Sequence, residues 1–287
     1  MKKLALYSSF YLFAFVFLAV NNSKAQELSD YYLIGNVKGI REYHYKPLSD
    51  CDYCEDLKDS SIVEFNMNGK TIKEKIWKYP LNTELINEHY YKYDWKGKLI
   101  EEKEIQKGLL SETTKYIRDN QGHTTSTEKY MWKYGEKDDK LVSREHWYQN
   151  FREDGKIKEV SIYSDEINKT LKSRIYYNEK DLLEKYIVYK NGKPYEDNYS
   201  YTYHPNGKVS KRTIILGDGR KEICTYDKYG LRTGYCIYDK SGNILMSQSY
   251  DYKYDNSGNW IYVKTTTTHD TGFKMIDIYR RKISYYK

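Results

Sequence analysis

The first residues that could do chemistry in this chain are six histidines: His44, His89, His123, His146, His204 and His269. None stands two or four residues from another, so no pair has the spacing that presents two metal ligands from one local element. His123 and His204 occupy turn-forming segments and read as turn residues. His44 and His146 lie in aromatic, strand-like stretches and read as sheet-facing. Carboxylates are plentiful but mostly neighbour lysines, as in IEEKEI and KIKEV. A glycosidase needs two carboxylates about 5 to 10 Å apart, one with a raised pKa, and only folding could gather such a pair from separate parts of this chain. Asp227, Asp239 and Asp255 recur in one local context and have a turn role first. Calcium would want the dense glycine–aspartate nonapeptide of some β-solenoids, which is missing. With no nucleophile elbow, P-loop or dinucleotide fingerprint either, we expect no catalytic residue, metal or cofactor, and a protein that is not an enzyme.

Four cysteines allow three pairings. Cys51 and Cys54 sit in the acidic segment SDCDYCEDLKDSS, and Cys224 and Cys236 flank the YDKYG turn. The local pairings Cys51–Cys54 and Cys224–Cys236 are expected. A redox CxxC would want a βαβ context, and a structural zinc site a second close pair.

What must position all these residues is a repeat: an aromatic, a polar turn-former, two variable residues, then Gly and commonly Lys or Asn. It reads FNMNGK at 65–70, YDWKGK at 93–98, FREDGK at 151–156, YHPNGK at 203–208, YDKSGN at 238–243 and YDNSGN at 254–259. Weaker copies are RDNQGH at 118–123, YNEKDL at 177–182 and YDKYGL at 226–231. Asp or Asn at the second position can bond its own backbone two residues on, and Gly at the fifth can take φ > 0, so each copy reads as a hairpin loop. Aromatics alternate on both sides, as at Tyr201 and Tyr203 or Tyr250, Tyr252 and Tyr254. Successive fifth positions lie 28, 25, 33, 26, 26, 23, 12 and 16 residues apart, with Asp181 standing in for one Gly. A step near 25 holds two strands and two turns; the short steps are single strands. The expected fold is all-β, an antiparallel meander of repeated hairpins forming an elongated twisted sheet or an open solenoid-like repeat. An open sheet has edge strands, which invite self-association.

Residues 1–25 read as a signal peptide: Lys2 and Lys3, an apolar run from Leu4 to Val20, then the small-residue site Ser23-Lys24-Ala25. Residues 26–64 form an N-terminal strand and the cysteine-containing loop, and 65–287 the repeat domain. The mature chain is expected in the periplasm, at the cell surface or secreted, with no membrane span left. Cleavage would take the net charge from +7 to +4, since Lys2, Lys3 and Lys24 leave with no acid. Both signs are interspersed without a basic block, which excludes a dedicated nucleic-acid binder. Tyrosine is abundant, 35 residues, whereas Leu, Ile and Val are sparse. Tyr on a half-buried sheet rests its ring on cross-strand neighbours and keeps its hydroxyl near water, giving aromatic ladders. The competing reading is a platform on which sugar rings stack, with Trp95, Trp147 and Trp260 as candidate ligand-binding residues.

The motif copies resemble the YD-repeat (RHS-type) family, most closely at YDNSGN and YDKSGN, while FNMNGK and YHPNGK resemble MORN-like variants. The resemblance covers about residues 60–264 and implies a β-repeat fold with an extracytoplasmic carbohydrate- or partner-binding role, as in small exported proteins of Bacteroidetes-type bacteria. The expected function is therefore non-enzymatic binding of carbohydrate or of an envelope or secreted protein through an aromatic sheet face. The alternatives are a polysaccharide-acting enzyme with carboxylates assembled from separate repeats, and an antitoxin- or immunity-like partner of a secreted toxin.

Overall fold

The computed structural model describes residues 33, 35–47, 55–78, 84–107, 110–133, 140–164 and 170–286. Eighteen antiparallel strands follow one another: β1 (Val37–Pro47), β2 (Glu55–Phe65), β3 (Thr71–Lys78), β4 (Glu84–Tyr93), β5 (Leu99–Gln106) and β6 (Leu110–Arg118). They continue with β7 (Thr124–Lys133), β8 (Lys140–Phe151), β9 (Ile157–Ser164), β10 (Leu171–Tyr177), β11 (Leu183–Lys190) and β12 (Lys193–Tyr203). The last six are β13 (Val209–Ile215), β14 (Lys221–Tyr226), β15 (Arg232–Tyr238), β16 (Ile244–Tyr254), β17 (Trp260–His269) and β18 (Lys274–Tyr285). Each strand pairs with the next, and β1 pairs with β18 from Val37↔Tyr285 to Tyr45↔Ile278. The meander is as expected, but the expected open sheet or solenoid is not: the ring closes into an eighteen-stranded barrel. Twist accumulates from strand to strand until the ends meet, and closure uses both strands that would otherwise be edges.

The repeat builds one rim of this barrel. Eight of the nine copies connect an even strand to the following odd one and so lie at the same end. YDKSGN at 238–243 joins β15 to β16 at the opposite end, which is why it interrupts the spacing: Gly230 and Gly258 are again 28 residues apart. In every copy the second residue's amide donates to the sixth residue's carbonyl, and the fifth residue's amide donates back to the second residue's carbonyl. The Asx side chain accepts two more amides, as Asp227 does from Tyr229 and Leu231 and Asp255 from Ser257 and Asn259. Where the second residue is Arg152 or His204, the Asx at the fourth position takes over, and Asp154 and Asn206 cap Lys156 and Lys208. Each loop is bordered by the same one-residue register shift, for example between Lys92 and Tyr93. Neighbouring turns are also tied together. Lys98 Nζ donates to the Gly122 carbonyl (2.9 Å), Lys156 pairs with Asp181 (2.9 Å) and Lys208 donates to the Tyr229 carbonyl (3.0 Å).

Gly207 sits at φ +81° with no atom within 4 Å of where a Cβ would be. Gly207→Ala therefore isolates the backbone cost of a left-handed residue, about 1 kcal/mol. A denaturant midpoint lowered by that free energy divided by an unchanged slope is the expected result.

Strand alternation gives two different walls. Facing outward are lysines laid on tyrosine rings of the adjacent strand: Lys73 on Tyr90, Lys115 on Tyr130, Lys221 on Tyr238 and Lys253 on Tyr262, at 4.6–5.2 Å from the ring centres. Cross-strand ion pairs Lys75–Glu88, Arg144–Glu128 and Lys185–Glu196 lie on the same surface. Facing inward is the core, in clusters along the ring. Val160, Ile162, Ile175 and Tyr177 pack with Trp147, Leu183 and Tyr186, and next to them stand Tyr199, Ile214 and Leu216. Leu33, Val37, Ile40, Val63 and Phe65 pack beside Ile283 where β1 meets β18.

The expected Cys224–Cys236 disulfide is corrected by register. Cys224 pairs with Tyr235, and Cys236 with Ile223. A one-residue offset puts the two side chains on opposite faces, Cys224 buried inside and Cys236 outside, and both thiols are free. Cys51 and Cys54, like the signal-peptide segment, lie outside the described residues.

Candidate functional site

Ring closure brings a polar cluster of the inner wall together at the β1–β18 seam. His44 on β1 is bracketed by Asp59 on β2 (Nδ1 to Oδ2, 2.9 Å) and Asp277 on β18 (Nε2 to Oδ1, 2.8 Å). Its ring stacks on Tyr279 at 4.5 Å and 7°. Burial opposes the charge on the imidazole, but the hydrogen bonds it donates to Asp277 and Asp59, with the charges of those carboxylates, outweigh it and raise the pKa to about 9. His44 is therefore an imidazolium clasp across the seam. One register step along, Arg281 Nε donates to Glu42 (2.7 Å) and its guanidinium lies 3.4 Å above the Trp260 ring. Trp260 belongs to this wall because the register shift beside Tyr254 skips Ile261 and turns the indole inward.

Glu42, Trp260, Asp277, Tyr279 and Arg281 border a pocket of about 360 Å³. Tyr250, Tyr252, Trp260 and Tyr279 supply aromatic surface; Glu42, Arg232, Gln248, Thr265, Asp277 and Arg281 supply polar atoms. The Tyr250 and Tyr252 rings are near parallel at 6.3 Å, and Trp260 meets Tyr252 edge-on at 6.2 Å. Hydrogen bonds fix the tyrosines: Tyr250 donates to Gln248 (2.8 Å), Gln248 to Thr267 (3.0 Å) and Tyr252 to the Arg232 carbonyl (2.9 Å). Chemically the arrangement offers ring faces for stacking and oriented donors and acceptors around them.

A second inner-wall region lies on β3–β6. Glu74, His89, Glu104 and Glu112 form one cross-strand row, and Glu102 lies diagonal to it. Burial, reinforced by the charges of Glu42 and Glu102, raises Glu74 to a pKa of about 7. Burial also raises Glu102, despite the hydrogen bond from Tyr116 (3.3 Å). Burial lowers His89, against the pull of Glu104, and its Nδ1 has no hydrogen-bond partner among the described residues. Glu112 pairs with Lys129 at 2.6 Å, and Asn87 and Gln106 donate to Glu104. No three described His, Cys, Asp or Glu side chains converge as a metal site.

The three sequence-predicted tryptophans are not brought together. Trp95 is 89% exposed in a rim turn, Trp147 packs against the apolar cluster of β9 and β10, and Trp260 lines the seam pocket. His123 and His204 are turn residues, bonded to Asp119 and to the Tyr226 carbonyl. Sequence reasoning missed Glu42, His44, Arg232, Asp277 and Arg281. Glu42 and Arg281 are 239 residues apart, and no local pattern joins them before the ring is closed. The one available signal was strand parity, which puts Tyr250 and Tyr252 on a single face.

The fold defines a closed, up-and-down antiparallel β-barrel protein. No protein-family profile matches the chain, and a comparison with curated proteins gives no match. Among solved structures it is similar to a porin-like protein from Bacteroides uniformis, with 11% identity and a TM-score of 0.45, covering 86% of this chain and 98% of that one. It is also similar to a porin-like protein from Bacteroides vulgatus (12%, 0.33, covering 88% and 99%) and to a LolA superfamily protein from Nitrosomonas europaea (8%, 0.29, covering 96% and 94%). At such identities and scores the likeness supports no statement about function. The resemblance to YD-repeat and MORN-like families is corrected: no family profile matches the chain, and its strands close into a barrel. Its motif is the signature of a bulged, Asx-capped hairpin turn, a geometry that any long meander can use.

Proposed function

We propose that this is an exported, non-catalytic binding protein that takes carbohydrate into the seam pocket on its inner wall. The observation that carries the reading is the pocket itself, about 360 Å³ with four aromatic side chains and a polar border. Sugar rings stack their C–H faces on aromatics while hydroxyls bond to polar groups around them, and this pocket supplies both. The outer wall supports a barrel surrounded by water. Lipid-facing Lys or Arg costs about 2–4 kcal/mol at mid-membrane, and lysines on tyrosine rings recur around this surface. The signal-peptide-like residues 1–25 support export.

Tryptophan fluorescence of residues 26–287, titrated with soluble glycans and cell-wall fragments, tests the reading. A saturable spectral change that Trp260→Phe removes is expected. The absence of any change across the panel would overturn it and move attention to a protein partner.

One observation favours a second reading, a polysaccharide-acting enzyme. Glu74 with a pKa of about 7 has the property of a general acid, and Glu102, also raised, is close enough to be one of its causes. Release of reducing ends from a polysaccharide panel, abolished in Glu74→Gln, would support it; an inert wild-type protein would remove it.

A further inference from the structure

We propose that Arg232 is the anchor of the seam pocket and that its ligand is an acidic saccharide carrying one negative charge on the bound ring. This deepens the carbohydrate reading and rests on it. The pocket's other charged groups already have partners: Arg281 holds Glu42 at 2.7 Å, and Asp277 holds His44 at 2.8 Å. Arg232 differs. Among the described residues it pairs with no carboxylate; its contacts are the Tyr250 hydroxyl at 3.4 Å and the rings of Tyr235 and Tyr250, 5.7 and 6.0 Å away. Tyrosines hold the guanidinium plane without neutralising it, and that plane can take a carboxylate or sulfate through two parallel N–H bonds. Glu42 neutralises Arg281, and the two carboxylates Asp277 and Asp59 share His44, so Arg232 is the charged group of the aromatic part of the pocket that faces no opposite charge among the described residues. A singly charged acidic sugar matches it. A neutral sugar leaves it unpaired on a partly desolvated surface, where a missing partner is costly.

The test is titration of residues 26–287 with oligogalacturonides and with their methyl esters, which keep the ring and remove the charge. A sulfated oligosaccharide and its desulfated form make a parallel pair that separates carboxylate from sulfate recognition. The acidic member of at least one pair is expected to bind about ten-fold or more tightly than its neutral counterpart, and the difference should shrink as salt is raised. Arg232→Gln should equalise the two members, whereas Arg232→Lys should keep part of the preference; matching thermal transitions show that both variants fold. Equal affinity of charged and neutral members for the wild type overturns the acidic-ligand inference and leaves the carbohydrate reading in place. No binding of any of the four compounds overturns the acidic-ligand inference, and the carbohydrate reading falls with it only if the wider glycan panel also gives no change.

Discussion

Replacing His44 with Ala is expected to lower the unfolding free energy by about 2–3 kcal/mol at pH 7, by the linkage between a shifted pKa and stability. The imidazolium has hydrogen bonds to Asp59 and Asp277, on the strands to either side of it. Removing it leaves two carboxylates facing each other at the seam, with Asp277 only 15% exposed. The effect has a defined pH dependence. The folded-state pKa is raised from 6.5 to about 9, so the clasp's contribution is fully present below pH 6.5 and fades as pH rises to about 9. Denaturant titrations at pH 6, 7.5 and 9.5 should show the wild type losing stability across this range relative to His44→Ala. Curves that run parallel at all three values would show that the clasp does not hold His44 charged. Because β1 and β18 meet only through ring closure, His44→Ala should also speed amide exchange in those strands before the rest of the barrel.

The rim was legible in the sequence and the ring was not. Nine short motifs announced hairpins because Asx capping and a positive-φ residue are local requirements, met even by Asp181 at φ 60°. Nothing local says that β1 and β18 will pair, since that depends on twist and bulges summed over eighteen strands. Which face would turn inward was not legible, for a related reason. Tyr90 and Tyr250 stand in similar alternating runs, yet Tyr90 lies under Lys73 outside while Tyr250 lines a pocket inside. Alternation tells which residues share a face but not which face becomes the interior. The Cys224–Cys236 pairing failed on the same scale, by one residue of register. The seam pocket was the least legible part, because its residues come from the first strand and the last four.

Glu74→Gln is expected to act in the opposite sense to His44→Ala, raising stability by about 3 kcal/mol at pH 8. Glu74 faces the inner wall between Val63 on β2 and His89 on β4. Burial and two like charges raise its pKa from 4.5 to about 7. A group raised in this way contributes fully below the unfolded pKa, and its contribution is lost as pH climbs through the folded value. The wild type should therefore lose stability between about pH 4.5 and 7 and level off above, apart from other groups. Gln has the same shape and no charge to strand, so the difference between variant and wild type should grow across that window and then stay constant. A difference independent of pH would mean that Glu74 titrates normally and is hydrated. If the difference appears, the protein retains an acid that weakens its own barrel at neutral pH, beside Glu102, which is raised for the same physical reason. Function is the usual reason for keeping such a group, so the stabilised Glu74→Gln barrel is the variant to carry into both the glycan titration and the polysaccharide assay. Unchanged glycan binding would place the acid row apart from the seam pocket, and weaker binding would make the two regions one site.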